Sequence, residues 1–558
     1  MRKKTSNLTA NKNRRLDKGD AAPASSDKAV LGIIDAVVDQ NSAYWIRYGS
    51  ADRAAWFAAP DIVARPASVF DRLAKAGVIL AMTRSQSRVK EDVEAQTEYR
   101  SGLVADRPGW VATSYIMGDG TVILAPGDDT EVIVAFETDP KFTPGGDLAA
   151  WQHAVRPFIP GQPLVRFALA LSLVGPLLRF VPKDFDNPIV EYVGPPERGK
   201  STVMTLAASV WAGNPGSKTG GADSWSLTIN ATDPLRSMRA DNLLALDEGG
   251  EMPGDTPREK QNAAEKLIFR FSSTGHKRRM GDGAMSPHTR GVLLSNTNVP
   301  LAANFANAAR ETRDALLSRI VTIEIGEDRP FGVFTKVPEG FKSSEAASRA
   351  LRQAAEIGYG AAGRAFVART VAAINKDQIV IEKMLAEKLA EEESYLDDLV
   401  LPSRIRKTFA LVSVAGLLGQ RYGVIPKSWG SIRHAVRIVA SRAAAGHPLA
   451  RQPSALDRVR SYLKDNEAGI VDAAALSKPL NQAAFDRAAG FRHVDRNGQV
   501  EIMIPTPRFQ RDLHDYMRVV RTLRNSGHAR GESGGQSKLS IKAPRSICDT
   551  GRVYCIRI

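Results

Sequence analysis

The stretch Gly194-Pro195-Pro196-Glu197-Arg198-Gly199-Lys200-Ser201 constrains the fold of this 558-residue chain more than any other. An apolar run, IVEYV (189–193), precedes it, and STVMTLAASVWAG, a helix-forming stretch, follows. The pattern G-x-x-x-x-G-K-[ST] needs that setting. Its glycines let backbone N–H groups close around phosphate oxygens, and the dipole of the following helix favours the anion. Lys200 is expected to reach the β- and γ-phosphates, and the Ser201 hydroxyl to ligate Mg²⁺. The reading is an α/β fold with a parallel sheet and a site for ATP and Mg²⁺ made by residues 194–201 and Thr202.

Such a site needs a second, acidic strand. Asn242-Leu-Leu-Ala-Leu-Asp247-Glu248 supplies four apolar residues ending in adjacent carboxylates. Asp247 is expected in the Mg²⁺ shell and Glu248 as the group that polarises the attacking water. A third strand, Gly291-Val-Leu-Leu-Ser295-Asn296, ends in Asn296-Thr-Asn298. A polar residue at the end of a parallel strand lies beside the ligand crevice, so Asn296 is the first choice to orient that water and Asn298 the second. In Ala315-Leu-Leu-Ser-Arg319-Ile-Val-Thr-Ile, Arg319 opens a further strand. It reads as a cation for the γ-phosphate of a neighbouring subunit, or as a surface ion pair.

Charge divides the chain. The net is +15, from 76 Lys+Arg and 61 Asp+Glu. Residues 1–28 carry +5, residues 29–400 carry −6 and residues 401–558 carry +16. A basic C-terminal quarter on a mildly acidic body points to nucleic acid, with nonspecific adhesion the duller alternative. Residues 1–28 read as a disordered basic arm. Residues 29–150 read as an α+β N-terminal domain, with a helix at Val30–Val38 and a hairpin around Asp119-Gly120. The ATPase core is assigned to 151–330 and a helical region to 331–452. A basic, winged-helix-like DNA-binding module takes 453–558, where helices alternate with short strands such as VEIMI and VYCIRI. Two cysteines, Cys548 and Cys555, cannot build a disulfide framework and suggest a reducing, cytoplasmic compartment. No apolar run approaches the ~20 residues that span a bilayer, so no membrane partner is expected. The eight histidines form no HExxH pattern.

The order of loop, acidic strand, Asn strand and Arg before a last strand resembles an AAA+ ATPase core of the superfamily 3 helicase type. SNTNVP and LLSRIVTIEI are similar to segments of parvoviral Rep helicases. A broader resemblance, over residues 75–440, is to the phage- and plasmid-borne family catalogued as domain of unknown function 927. GWVATSYIMGDGTVI, AAWQHAV, GPPERGKSTVMTLAASVWAG, LLALDEGGE, IGYGAAGRAF and RKTFALVSVAGLLGQRYGV carry it. The Pro-Pro-Glu-Arg filling of the loop departs from the small residues usual there. The superfamily 3 likeness implies a hairpin in Ser272–Gly283 whose tip, Lys277, Arg278 and Arg279, grips single-stranded DNA in a central pore. It also implies a homo-oligomeric, hexameric ring. The expected function is an ATP-dependent DNA helicase or translocase serving replication of a phage, plasmid or genomic island. The alternative is a nucleotide-switched DNA-binding initiator, loader or phage-defence ATPase that does not unwind.

Overall fold

A computed structural model describes residues 31–558 apart from 227, 229–230, 250–253, 255, 274–288, 306–307, 449–454, 496–497, 514–515, 532–538 and 558. The basic arm and the tip at Lys277, Arg278 and Arg279 therefore lie outside the described residues. The chain forms two compact units. Residues up to 107, with 127–138, make the first, and 108–126 with 139 onward make most of the second.

In the first unit a four-stranded sheet runs in the order Arg53–Ala58, Tyr44–Ser50, Gly32–Val38, Arg100–Ser101. The helix expected at Val30–Val38 is therefore a strand from Gly32. The apolar spacing there suits either state, and β-branched Ile33, Ile34, Val37 and Val38 favour the pleated one once Tyr44–Ser50 offers a partner. Helices Pro66–Lys75 and Thr83–Ala95 bury Val69, Leu73, Val89 and Val93 in a core with Ile46, Tyr48 and Phe57.

The second unit is built on a five-stranded sheet with the order Asp223–Ser224, Leu243–Asp247, Val292–Thr297, Ile189–Val193, Ile320–Glu324. All its pairings are parallel. Every residue of the three middle strands is buried, the polar Glu191, Asp247, Ser295, Asn296 and Thr297 included, so none shows the alternation of a half-exposed strand. One face packs on the buried helix Pro163–Ser172, the loop helix Lys200–Ser209 and the helical region, around Trp151, Phe167, Trp211, Phe366 and Phe409. The other packs on helix Pro257–Ser272 through Ala264, Leu267 and Ile268. The helical region comprises Ser344–Ala354, Ala361–Lys376, Gln378–Ser394, Ser403–Arg421 and Ile432–Gly446.

Asp119-Gly120 does turn a hairpin, between Ser114–Ile116 and Val122–Ile123, with Gly109–Val111 as a third strand. This hairpin belongs to the second unit. Tyr115 Oη donates to the Asp241 carbonyl at 2.9 Å and Trp110 Nε1 to that of Pro176 at 2.9 Å. Nearer the C-terminus a mixed sheet runs Ile470–Asp472, Gly490–Val494, Val500–Pro505, Arg552–Arg557, Ala529–Arg530, with Ile541–Lys542 also on Arg552–Arg557. Between Val500–Pro505 and Ala529–Arg530 lie two helices, Thr506–Asp512 and Tyr516–Asn525. Leu513, extended and buried, stops the first.

Candidate functional site

The parallel register fixes where chemistry can gather. Val193 is level with Thr297 and Glu324, so the loop after Val193 and the end of the Asn strand open on one edge of the sheet. The loop is shaped by its glycines. A Cβ on Gly194 would stand 2.2 Å from the Ile325 carbonyl oxygen, and one on Gly199 2.8 Å from Val333 Cγ2. Gly199 caps the loop helix with φ 80°. Glu197 and Glu248 hold left-handed backbone at φ 62° and 63°, a conformation that costs a non-glycine residue about 1 kcal/mol or more. Both border the same cavity.

That cavity, of about 380 Å³, is lined by Pro196 to Thr202, by Asp247 to Gly249, by Asn296 to Asn298 and by Arg352. Gly194 and Pro195 adjoin it through their carbonyls: Lys200 Nζ donates to Gly194 O and Pro195 O, each at 2.7 Å, and to Asn298 Oδ1 at 3.1 Å. Burial lowers the Lys200 pKa from its ordinary value, and the Asp247 charge opposes that lowering. Asp247 Oδ1 accepts from Ser201 Oγ at 3.2 Å, from Glu248 N at 3.0 Å and from Asn296 Nδ2 at 3.3 Å. Asn296 is 2% exposed, and its Oδ1 has no hydrogen-bond partner among the described residues. Glu248 is exposed and free to face a substrate.

The donors suit Mg²⁺. Ser201 and Asp247 offer hard oxygens side by side, and Mg²⁺ takes one or two protein carboxylates while waters and phosphates complete its shell. Among the described residues no group of three or more His, Cys, Asp or Glu is placed to hold a metal by itself.

Arg319 is not in this cavity. It precedes Ile320, which is level with Ile189, so it stands at the opposite edge of the sheet, about 20 Å along the strands from the loop. Its guanidinium lies 5.1 Å from the Phe269 ring and donates to Ala315 O. Arg319 therefore does not reach the cavity of its own chain.

Three features of the site escape sequence reasoning. Arg352, on helix Ser344–Ala354, reaches the cavity and lies 3.5 Å from Thr202 Oγ1. No motif marks it. The turn after the sheet buttresses the loop: Val333 N donates to Arg198 O at 2.9 Å, and buried Arg329 donates to Gly332 O at 2.7 Å. Glu191, fully buried in the loop strand, accepts from Leu301 N at 2.9 Å and from Thr322 Oγ1 at 2.6 Å. Burial pushes its carboxyl up to about 7.

Residues 24–279 match the family model for Domain of unknown function (DUF927). The match bears out the resemblance to that family, over residues 24–279 rather than the 75–440 expected from the sequence. No curated protein matches the chain. Among solved structures it is similar to SCCmec type IV Cch, titled an active helicase. That alignment has 16% identity and a TM-score of 0.55, and covers 95% of this chain and 93% of that one. The likeness shows a shared α/β fold over nearly the whole length. The NrS-1 C-terminal region also matches, at 11% identity over 69% of this chain and 87% of that one, with a TM-score of 0.27. Among the described residues no helix is long and apolar enough to cross a membrane.

Proposed function

We propose that the chain is an ATP-dependent DNA helicase or translocase with an AAA+ P-loop core, working as a homo-oligomeric, hexameric ring in the replication of a mobile element. The observation that carries this reading is the gathering of Lys200, Ser201, Asp247, Glu248 and Asn296 from three separate segments around one cavity. The strand order, with the loop strand between the Asn strand and the Arg319 strand, supports the AAA+ assignment. The helicase title of Cch, aligned along 95% of this chain, supports the activity.

In this reading Lys200 leaves the Gly194 and Pro195 carbonyls for the β- and γ-phosphates, and the loop amides hold the phosphate oxygens. Ser201 and Asp247 would hold Mg²⁺, which when bound would supply positive charge against that developing on the phosphates. Glu248 accepts the proton of the attacking water, and Asn296 orients that water against the γ-phosphorus. Arg319 stabilises transition-state charge on a neighbour's nucleotide, which makes hydrolysis depend on assembly. Lys277, Arg278 and Arg279 hold single-stranded DNA, and the basic 453–558 module contacts duplex. A forked-duplex unwinding assay tests the proposal: strand separation with ATP and Mg²⁺ and none without supports it. ATP hydrolysis and DNA binding with no unwinding would favour the switch or loader instead.

A further inference from the structure

The edge of the central sheet opposite the nucleotide cavity carries a second hollow, of about 690 Å³. Arg179, Lys183, Asn187, Arg290 and Glu382 supply its polar lining. Arg179 ends the short helix Gly175–Arg179, and Arg290 stands two residues before the Asn strand. Neither guanidinium, nor the Lys183 ammonium, has a hydrogen bond or ion pair with a described residue. Arg179 lies 5.8 Å from the Phe180 ring. Glu382 is engaged elsewhere, accepting from Gln378 Nε2 at 2.7 Å. Burial lowers the Arg179 pKa from its ordinary value; Asp241 and Glu382 oppose that lowering and the like charge of Arg290 adds to it.

Arg179, Lys183 and Arg290 outnumber the one carboxylate of the lining, Glu382, so the hollow carries net positive charge and an anion would balance it. The hollow also has a particular address. Asn187, 5% exposed, donates through Nδ2 to Ser273 O at 3.3 Å and Thr289 O at 3.1 Å, and accepts at Oδ1 from Gly291 N at 3.2 Å. It ties together the two chain ends that bound residues 274–288, within which Lys277, Arg278 and Arg279 lie. Two residues on, Ile189 begins the strand that leads to the nucleotide loop.

We propose that this hollow is a phosphodiester seat for a nucleic-acid strand, with Arg179 and Arg290 donating to the phosphate oxygens and Lys183 at the mouth. The inference rests on the reading of the chain as a DNA-dependent ATPase and adds a contact that the basic tip alone does not supply. Guanidinium forks match phosphate oxygens pairwise, and a hollow of this volume admits a nucleotide unit rather than a bare ion.

The test is fluorescence anisotropy of a labelled oligothymidylate on the full chain across a salt series, comparing wild type with Arg290→Gln, Arg290→Lys and Lys183→Gln/Arg290→Gln. Arg290→Gln should weaken binding about tenfold. It should flatten the plot of log K against log salt by about 0.7 for each phosphate no longer neutralised. Arg290→Lys should recover part of the affinity. Weaker binding at an unchanged slope overturns the seat, because a folding defect removes active protein without freeing a phosphate. Wild-type affinity and slope in all variants overturn it too, while leaving the DNA reading intact. That reading falls separately if wild type binds no oligothymidylate. Calorimetry with ADP distinguishes a free nucleotide as the source of the phosphate. Two ADP per wild-type chain and one in Arg290→Gln, with oligothymidylate affinity unchanged, would assign the hollow to a mononucleotide and overturn the strand. A changed oligomeric state with unchanged DNA affinity would assign it to a second copy of the chain, again against the proposal.

Discussion

Asn296 and Asn298, two residues apart, hold different partners: Asn296 Nδ2 donates to Asp247 Oδ1 at 3.3 Å, while Asn298 Oδ1 accepts from Lys200 Nζ at 3.1 Å. The first sits on the acidic group assigned to Mg²⁺, the second on the cation assigned to phosphate. Asn296→Ala should therefore lower kcat for ATP hydrolysis about 100-fold with KM within a few-fold. Asn298→Ala should act mainly on KM, because it releases a tether of the nucleotide-free lysine. Steady-state phosphate release measures both. Equal kcat losses in the two variants would remove the division of labour.

Lys200→Ala and Glu248→Gln separate binding from chemistry. The lysine variant should lose nucleotide affinity, read with a fluorescent ATP analogue, and turnover with it. The Gln variant should bind the analogue as wild type does and lose turnover by about 10²-fold or more, since only the proton acceptor is gone. Turnover near wild type in Glu248→Gln would transfer the base role elsewhere.

Glu191 gives the chain a signed pH dependence. Its carboxyl is raised from 4.5 to about 7 by burial, so the native state keeps the proton over a range in which the unfolded chain has lost it. The stability it contributes is complete below pH 4.5 and is lost as pH rises to about 7, roughly 3 kcal/mol in all. Glu191→Gln mimics the neutral form: its carbonyl can accept from Leu301 N and its amide can donate to Thr322 Oγ1. Urea midpoints should show the variant close to wild type at pH 5 and more stable at pH 8. A constant difference across that range would mean that Glu191 does not titrate there.

The cavity assigned to ATP was legible because its residues are consecutive or end a strand, and a parallel sheet places strand ends on one edge. Gly194 to Thr202, Asp247, Glu248 and Asn296 needed only that rule. Arg352 was not legible: it comes 150 residues after Thr202, on a helix whose sequence marks only a buried stripe. The strained φ of Glu197 and Glu248 leaves no compositional trace, as neither is the Gly or Asn expected in left-handed backbone. The helix expected at Val30–Val38 failed because its strand partners, Tyr44–Ser50 and Arg100–Ser101, are supplied by the fold rather than by local pattern.

Arg352 faces a cavity assigned to polyphosphate, and its buried Nε has no hydrogen-bond partner among the described residues. Arg352→Ala should raise the KM for ATP about tenfold, the scale of one charge-assisted hydrogen bond. Arg352→Lys should recover less than half of that loss, because a point charge cannot replace the fork. An unchanged KM in Arg352→Ala would make the residue a packing element of helix Ser344–Ala354.

Arg319 offers the sharpest test of assembly, because its edge of the sheet keeps it out of the cavity of its own chain. Arg319→Ala and Glu248→Gln should each be inactive alone, one for want of the cation and the other for want of the base. Mixed at equal concentration and allowed to exchange, they create interfaces in which an Arg319→Ala chain contributes an intact Glu248 and its neighbour an intact Arg319. If chains pair at random, about a quarter of all interfaces are of this kind, so ATPase should return to about a quarter of wild type. An arginine acting within its own chain predicts no recovery at any ratio. So does one held permanently against Phe269 and the Ala315 carbonyl. Recovery therefore requires both that neighbouring chains share the site and that Arg319 leaves the Phe269 face on assembly.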